Sequence, residues 1–406
     1  MNGKRLINLK ESHALLDELR KKYYFRRKTE FINIDESLNR ELAEDLVSQG
    51  ISPPHNLASY DGYALQAEDS QSYPLKIVYK IYAGEKSNNI PMLRKGEAMA
   101  IATGAFLPKG SNAVLRLEDA EIKGNLLFGV AIKKGTKVVK AGSNYKKGDM
   151  ILTKGHRIRP QEVGLLNDLN IDKVKVFKKP IVAIFSTGNE ICNGINRDIN
   201  APMIMAFLKE WGCKVNYLGA VPDDLEKIKK VLLKTTKYDA TITSGGVSVG
   251  EKDYTLKAMN ELGNMILYKV KTRPGKPIAI GIINDRPVFG LPGKPTGAFT
   301  AIELNLKRYF LGNIFKPTLK AKIGETIKLN VKDTDTMDMA NIVFVHCKNG
   351  TAYPVGFPKS HMRLINPGEL YNVSTIASSI RATIADGYTI VKNDLNKGNV
   401  VEVTLF

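Results

Sequence analysis

The sequence predicts a multidomain α/β and β protein, in which a mostly parallel, doubly wound α/β unit is accompanied by β-rich regions on either side. Three observations carry this reading. With 406 residues, 43% hydrophobic and 25% charged, the chain has the composition of a soluble globular protein and is too long for one core. Between about residues 175 and 315, short apolar runs alternate with helix-period segments, as strands alternate with crossover helices in a parallel sheet. Outside that stretch the chain consists largely of short strands broken by Gly and Pro.

The elements follow in order. Residues 11–22 predict an amphipathic helix with Leu15, Leu16 and Leu19 on its buried face, followed by a strand at 31–34. Asp35 reads as the N-cap of a second helix carrying Leu38, Leu42 and Leu46 on one stripe. From about 52 to 157 the segments 75–82, 98–102, 113–117, 126–132 and 150–152 predict strands, and no amphipathic helix of normal length occurs. Pro160 opens a short helix with Val163, Leu166 and Leu169 facing inward, since proline is tolerated at a first helical position.

The alternating stretch then reads as strand 181–185, helix 202–211 ended by Gly212, strand 214–221, helix 224–237 with Leu225, Ile228 and Leu232 inward, and strand 240–243. A glycine-rich loop, a helix near 254–262, strands at 267–270, 278–283 and 288–291, and a long helix near 296–310 complete the unit. Beyond Pro317 short strands and turns return, ending with 400–405, which predicts a second β-rich domain.

Several function classes drop out. The longest apolar runs, 181–185 and 278–283, fall far short of the roughly 20 residues that cross a bilayer, and no apolar leader follows the N-terminus, so a cytoplasmic protein without membrane association is expected. Cys192, Cys213 and Cys347 and five histidines have no zinc-ligand or disulfide spacing. His346 and Cys347 are neighbours on a strand and point to opposite faces. The net charge of +19 favours anionic partners. Its densest run, Lys21, Lys22, Tyr23, Tyr24, Phe25, Arg26, Arg27 and Lys28, reads as the cationic end of the first helix rather than a nucleic-acid site, because no zinc-finger or RNP-like motif accompanies it.

Ligands of open parallel sheets bind beyond the carboxyl ends of the strands, and four loops there are loaded with chemistry. Ser186, Thr187, Gly188, Asn189 and Glu190 offer hydroxyls, backbone amides and a carboxylate. Asp223 and Asp224 follow the next strand, and Asp224 reads as a helix N-cap. The third loop holds Ser244, Gly245, Gly246, Ser248, Gly250 and Asp253; paired glycines admit a close ligand, and successive amides with serine hydroxyls form a nest for an oxyanion. It is no Walker A loop, because Glu251 stands where the lysine belongs. Asp253 would repel a bound phosphate unless a cation such as Mg²⁺ lay between them; a plain structural turn is the alternative. Last, Pro274-Gly275-Lys276-Pro277 and Pro292-Gly293-Lys294-Pro295 nearly repeat, and with Lys269 and Arg273 they are either an anion clamp or two solvated turns. In the first β-rich region, Ser59 to Ala64 with Asp61, and Ala102 to Ala105 with Thr103, interrupt the patterning.

In order and spacing these motifs, together with Thr243 to Gly250, Asp253-Tyr254 and Gly290-Leu291-Pro292-Gly293 with Pro295, resemble the molybdopterin molybdenumtransferases, the MoeA family that includes the E domain of gephyrin. The resemblance spans essentially the whole chain. It implies an elongated homodimer of four-domain protomers: a MogA-like α/β domain at 1–27 and 177–318, a connecting domain at 28–48 and 145–176, an inserted β-rich domain at 49–144, and a C-terminal β-barrel-like domain at 319–406. It also implies insertion of molybdate, or tungstate, into adenylylated molybdopterin with release of AMP. By resemblance, Glu190, Asp223 and Asp253 hold Mg²⁺ and act in catalysis with Asp61 and Thr103, which come from the other protomer. The nest from Ser244 to Gly250 binds phosphate, the segment Ser186 to Gly188 with Pro292 and Pro295 contacts substrate, and Lys269, Arg273 and Lys276 neutralise oxyanion charge; Lys294, which departs from the family, adds a charge to that clamp and is expected either to tighten oxyanion binding or to shift the preference between molybdate and tungstate. An adenylyltransferase of the MogA or MoaB type is an implied partner.

Three departures from the family pattern stand out. Asn189 replaces Asp, Asp198-Ile199-Asn200 replaces Asp-Ser-Asn, and Lys294-Pro295 replaces Asn-Pro. The competing readings are a MogA-type adenylyltransferase, which stands alone as a smaller chain with a different residue pattern after its nest, and a non-catalytic scaffold. The latter has no use for clustered carboxylates that repel one another.

Overall fold

The structure, a computed structural model, describes residues 6–24, 27–247, 253–329, 339–366 and 368–406. Ser248 and Gly250 of the expected nest, and Phe25 and Arg26 of the basic run, lie outside the described residues. The chain divides into two compact units, residues 31–176 and residues 1–30 with 177–406.

The first unit is built on a six-stranded sheet in the order Ala113–Arg116, Gly62–Leu65, Glu97–Ile101, Leu75–Ile81, Leu126–Gly129, Ala120–Lys123. Gly62–Leu65 is buried on both faces, with Tyr63 and Leu65 entering one apolar cluster and Ala64 the other, as the two-residue period of a strand requires. A separate cluster of Leu42, Leu46, Leu152, Ile158, Leu166, Val174 and Val176 supports the helix Pro160–Asp168.

The helix expected after Asp35 does not form. Only a single 3-10 turn, Ile34–Glu36, is present, and Asn39 adopts a left-handed φ of 61°. The amides of Leu42 and Ala43 donate to His156 and Lys175 carbonyls instead of to a preceding turn. Leu42 and Leu46 are buried, but from extended backbone, while Leu38 stays 46% exposed. Tertiary hydrogen bonds thus outcompete a local periodicity that rested on three leucines.

The second unit starts with helix α1 (Leu9–Tyr23), closed by a capping box in which Asn8 Oδ1 accepts the Glu11 amide and the Glu11 carboxylate accepts the Asn8 amide. Its α/β sheet comprises β1 (Ile181–Thr187), β2 (Lys214–Val221), β3 (Ala240–Ser244), β4 (Asn264–Tyr268), β5 (Ala279–Ile283) and β6 (Arg286–Leu291), with helices α2 (Asn200–Glu210), α3 (Leu225–Thr235) and α4 (Tyr254–Leu262) between strands. The strand order is β2-β1-β3-β6-β5-β4. The first four strands are parallel, whereas β5 and β4 join antiparallel. From β1 the chain moves to β2 on one side and then returns to β3 on the other. The crevice between the carboxyl ends of β1 and β3 is therefore the topological switch point, where this architecture binds ligands.

The expected long helix is α5 (Pro295–Ala301) and α6 (Lys307–Leu311), joined by a π-helical stretch, Ile302–Leu306. Side chains satisfy carbonyls there: Lys316 Nζ donates to Glu303 O at 3.2 Å, and His13 Nε2 lies 2.7 Å from Leu304 O. Beyond it, β7 (Thr318–Ile323), β8 (Ala340–Lys348), β9 (Thr351–Pro354), β10 (Gly387–Val391) and β11 (Val400–Leu405) pair in a closed ring, β8-β9-β7-β11-β10-β8, around a large apolar core. Alternation holds at His346 and Cys347: the cysteine packs on that core, and the imidazole turns to the His361 ring. Among the described residues no helix is long and apolar enough to cross a membrane.

Candidate active site

At the switch point the chain leaves β1 through Ser186 and Thr187 and turns at Gly188, whose φ is 144°. It leaves β3 at Ser244 and passes through Gly245 and Gly246, both at positive φ. With Glu190, Asp198, Asn200, Asp223, Asp253, Gly293 and Pro295 these residues line a polar cavity of about 560 Å³.

Its walls are held by side chains bonded across the sheet edge. Asp198 Oδ2 accepts from Ser186 Oγ at 2.5 Å and from Tyr217 OH at 2.8 Å, while its Oδ1 accepts the Ala201 amide. Burial, and next the bond to Asp198, push the Tyr217 phenol up to about 12, so it remains a neutral donor. Asn200 Nδ2 donates to Ser244 Oγ and to Gly293 O, each at 2.8 Å, tying the end of β3 to the segment after β6. Asn200 is 6% exposed, and its Oδ1 has no hydrogen-bond partner among the described residues, which leaves a buried acceptor in the cavity wall.

Asn189 and Asp223 bond reciprocally: the Asp223 amide donates to Asn189 Oδ1 at 3.1 Å, and the Asn189 amide donates to Asp223 Oδ2 at 3.3 Å. An aspartate at 189 would accept the same amide bond, so the asparagine keeps the contact and removes a negative charge beside Asp223. Asp224, as its position suggests, caps α3 by accepting the Lys227 amide. Asp253 opens α4 without a capping bond from its side chain.

A second cavity, of about 500 Å³, adjoins the first and shares Gly246, Asp253 and Gly293 with it. Residues 274–277 of the first Pro-Gly-Lys-Pro segment and 292–294 of the second line this one cavity. The reason is the hairpin between them. The β5 and β6 strands pair antiparallel with Ala279 opposite Gly290, across a two-residue turn in which Asn284 and Asp285 both have positive φ. The start of β5 and the end of β6 must then emerge at one edge. Arg273, Lys276 and Lys294 line this cavity, whereas Lys269 lines neither: β4 ends at Tyr268, and the left-handed Lys269 carries its ammonium over the Tyr268 ring, 4.7 Å from its centre.

Glu190, Asp223 and Asp253 share the polar cavity, but among the described residues no three acidic, His or Cys side chains gather closely enough to hold a metal ion by themselves. Sequence reasoning passed over Asp198, Asn200 and Thr272 as site residues. The first two sit where the family motif was already visible; Thr272 belongs to no motif.

Asp61 and Thr103 meet in the other unit. Gly62 pairs with Ile101 in neighbouring antiparallel strands, which sets Asp61 beside the loop after Ile101. Thr103 donates to Asp61 Oδ1 twice, from its amide at 2.6 Å and from Oγ1 at 2.9 Å. The amide bond first, and then the hydroxyl, hold the Asp61 carboxyl below its ordinary 3.8. The contact is complete above that pH and is lost as pH falls through the lowered value. In Thr103→Val the amide bond survives alone, so the Asp61 titration midpoint, followed by carboxyl-carbon NMR, is expected to rise toward 3.8; an unmoved midpoint would discount the hydroxyl.

Two family descriptions match the chain: the MoeA N-terminal region (domains I and II) over residues 7–169, and a probable molybdopterin binding domain over residues 183–311. The chain is 31% identical to a putative molybdopterin biosynthesis protein of Methanocaldococcus jannaschii, over 99% of this chain and 98% of the relative. It is 35% identical to a molybdopterin molybdenumtransferase of Staphylococcus epidermidis, over 68% of this chain and 69% of that protein. A crystal structure of a molybdopterin biosynthesis MoeA protein from Pyrococcus horikoshii superposes with a TM-score of 0.72 at 29% identity, covering 99% of both chains.

Proposed function

The chain belongs to the MoeA family of molybdopterin molybdenumtransferases and so serves molybdenum cofactor biosynthesis as a transferase; from this we propose that its paired cavities join an oxyanion to an adenylylated molybdopterin. The observation that carries the reading is the junction of a polar cavity and a basic one at Gly246, Asp253 and Gly293. The polar cavity receives the adenylylated molybdopterin, and the basic cavity receives molybdate or tungstate as the second substrate. The phosphoanhydride then lies near Gly245 and Gly246, whose positive-φ backbone admits a close approach. As the two dithiolene sulfurs bond the metal, two of its oxygens are displaced: one leaves as water with the two thiol protons, and one passes to phosphorus as the anhydride P–O bond breaks and AMP departs.

Mg²⁺ fits this cavity as a substrate-completed site. It commonly takes one or two carboxylates together with phosphate oxygens and waters, and Glu190, Asp223 and Asp253 line one cavity without forming a closed cage. We assign the ion to Asp253 with Asp223 or Glu190; when bound, it polarises the anhydride and offsets its charge. Asp198 orients the Ser186 hydroxyl, and Asn200 holds Ser244 and Gly293 in register. Asp61 and Thr103 contact substrate from the second protomer of a homodimer, within the four-domain division that the family resemblance implies.

The test is AMP release by the purified protein given adenylylated molybdopterin, Mg²⁺ and molybdate or tungstate. Release is expected only when an oxyanion is present. Protein that binds the nucleotide but releases no AMP with either oxyanion would overturn the reading. For the shared site, mixing inactive Asp61→Ala with inactive Asp253→Ala and allowing protomers to exchange is expected to restore activity, because each mixed dimer regains one complete site. A mixture that stays inactive after demonstrated exchange would place both residues in one protomer's site.

A further inference from the structure

We propose that Lys294 is a charge-selecting residue of the basic cavity, which makes it prefer doubly charged tetrahedral oxyanions over singly charged ones. This deepens the proposed function and rests on reading that cavity as the oxyanion site. Among the described residues three cations line it, Arg273, Lys276 and Lys294, against one carboxylate, Asp253. Among the described residues the side chains of Arg273, Lys276 and Lys294 form no ion pair or hydrogen bond, so their charge is left for a ligand. A second, neutral feature also points to an occupant: the Thr272 hydroxyl in the wall is 1% exposed and has no hydrogen-bond partner among the described residues. Buried hydroxyls are normally paired, and one on a residue that lines the cavity has a proton to donate to an oxyanion oxygen.

Lys294 is the member of this set that a helix-forming sequence would not choose. It occupies the N-cap position of α5, where its side chain makes no capping bond and where Asn, a preferred N-cap residue, would accept an amide. A cation there also meets the positive end of the helix dipole. The chain forgoes a cap and gains a third positive charge in the cavity. Among the described lining residues Arg273 and Lys276 against Asp253 leave a net charge of about +1; Lys294 raises it to about +2, which matches a dianion. Molybdate and tungstate carry the same charge, so Lys294 strengthens both alike.

The experiment is calorimetric titration of the full-length protein with molybdate and with perrhenate, a tetrahedral oxyanion carrying one charge fewer. Lys294→Asn is expected to weaken molybdate about 10- to 100-fold, the range for losing a hydrogen bond to a charged group. The logarithm of the loss should be about half as large for perrhenate, because Coulomb energy scales with ligand charge. Lys294→Arg should retain the preference, and the unfolding temperature of ligand-free Lys294→Asn should rise as the cap is restored. Equal losses for the two oxyanions, or none, would overturn the proposal while leaving oxyanion-dependent AMP release intact. A wild-type protein that binds neither oxyanion would remove this inference together with the oxyanion reading of the cavity.

Discussion

Asp253→Asn is expected to lower oxyanion-dependent AMP release by roughly 100- to 1000-fold while leaving the protein folded. The substitution preserves size and removes one charge at the point where the polar and basic cavities meet. Because the carboxylate makes no capping bond to α4, no helix cap is lost. What is lost is a carboxylate assigned to hold a divalent ion against a phosphoanhydride. Stabilisation of that kind is worth several kcal/mol in the transition state, and about 1.4 kcal/mol corresponds to tenfold in rate. The measurement is kcat at saturating substrate, with nucleotide affinity and unfolding temperature recorded alongside. A variant within about threefold of wild type would show that Asp253 belongs to the cavity wall and not to the chemistry.

Gly245→Ala carries the largest expected effect on the fold of the site. The residue has φ of 97°, outside the small left-handed region open to other residues, and a Cβ there would stand 2.7 Å from both the carbonyl oxygen and Oγ1 of Thr187. The first obstacle is backbone of β1, the strand hydrogen-bonded to β3, so it cannot turn aside as a side chain could. Backbone strain of about 1–3 kcal/mol adds to the cost of separating two central strands, and a total of roughly 2–4 kcal/mol is expected with loss of activity. Gly104→Ala is the comparison. Its φ of 78° is also positive, but its Cβ would enter open space, so about 1 kcal/mol is expected. Denaturant midpoints of the two variants decide the matter; equal midpoints would mean that the β3 loop reshapes freely.

Much of the site was legible because a parallel sheet with crossover helices forces the carboxyl ends of its parallel strands to one edge. Once the alternation between 175 and 315 is read, Ser186 to Glu190, Asp223, Ser244 to Gly246 and Pro292 to Pro295 must converge, whatever the details of packing. The common destination of the two Pro-Gly-Lys-Pro segments was also encoded, in the Asn284-Asp285 hairpin turn. Lys269 shows the limit of such reasoning, because a single left-handed residue at a strand end redirected its side chain.

The sequence by itself determined the α/β class, the succession of elements, the family and most of the carboxylates and cations, since these depend on period, order and local chemistry. Tertiary structure decided that residues 37–46 are not a helix, that Asn200 ties the end of β3 to Gly293, and that the Thr272 hydroxyl, on a residue of the basic cavity's lining, has no hydrogen-bond partner among the described residues. Each of these depends on hydrogen bonds made, or left unmade, between residues far apart in the chain, such as Leu42 with His156 and Asn200 with Gly293. A buried donor or acceptor is costly to leave unpaired, so long-range partners override local preference, and no local pattern records who those partners are.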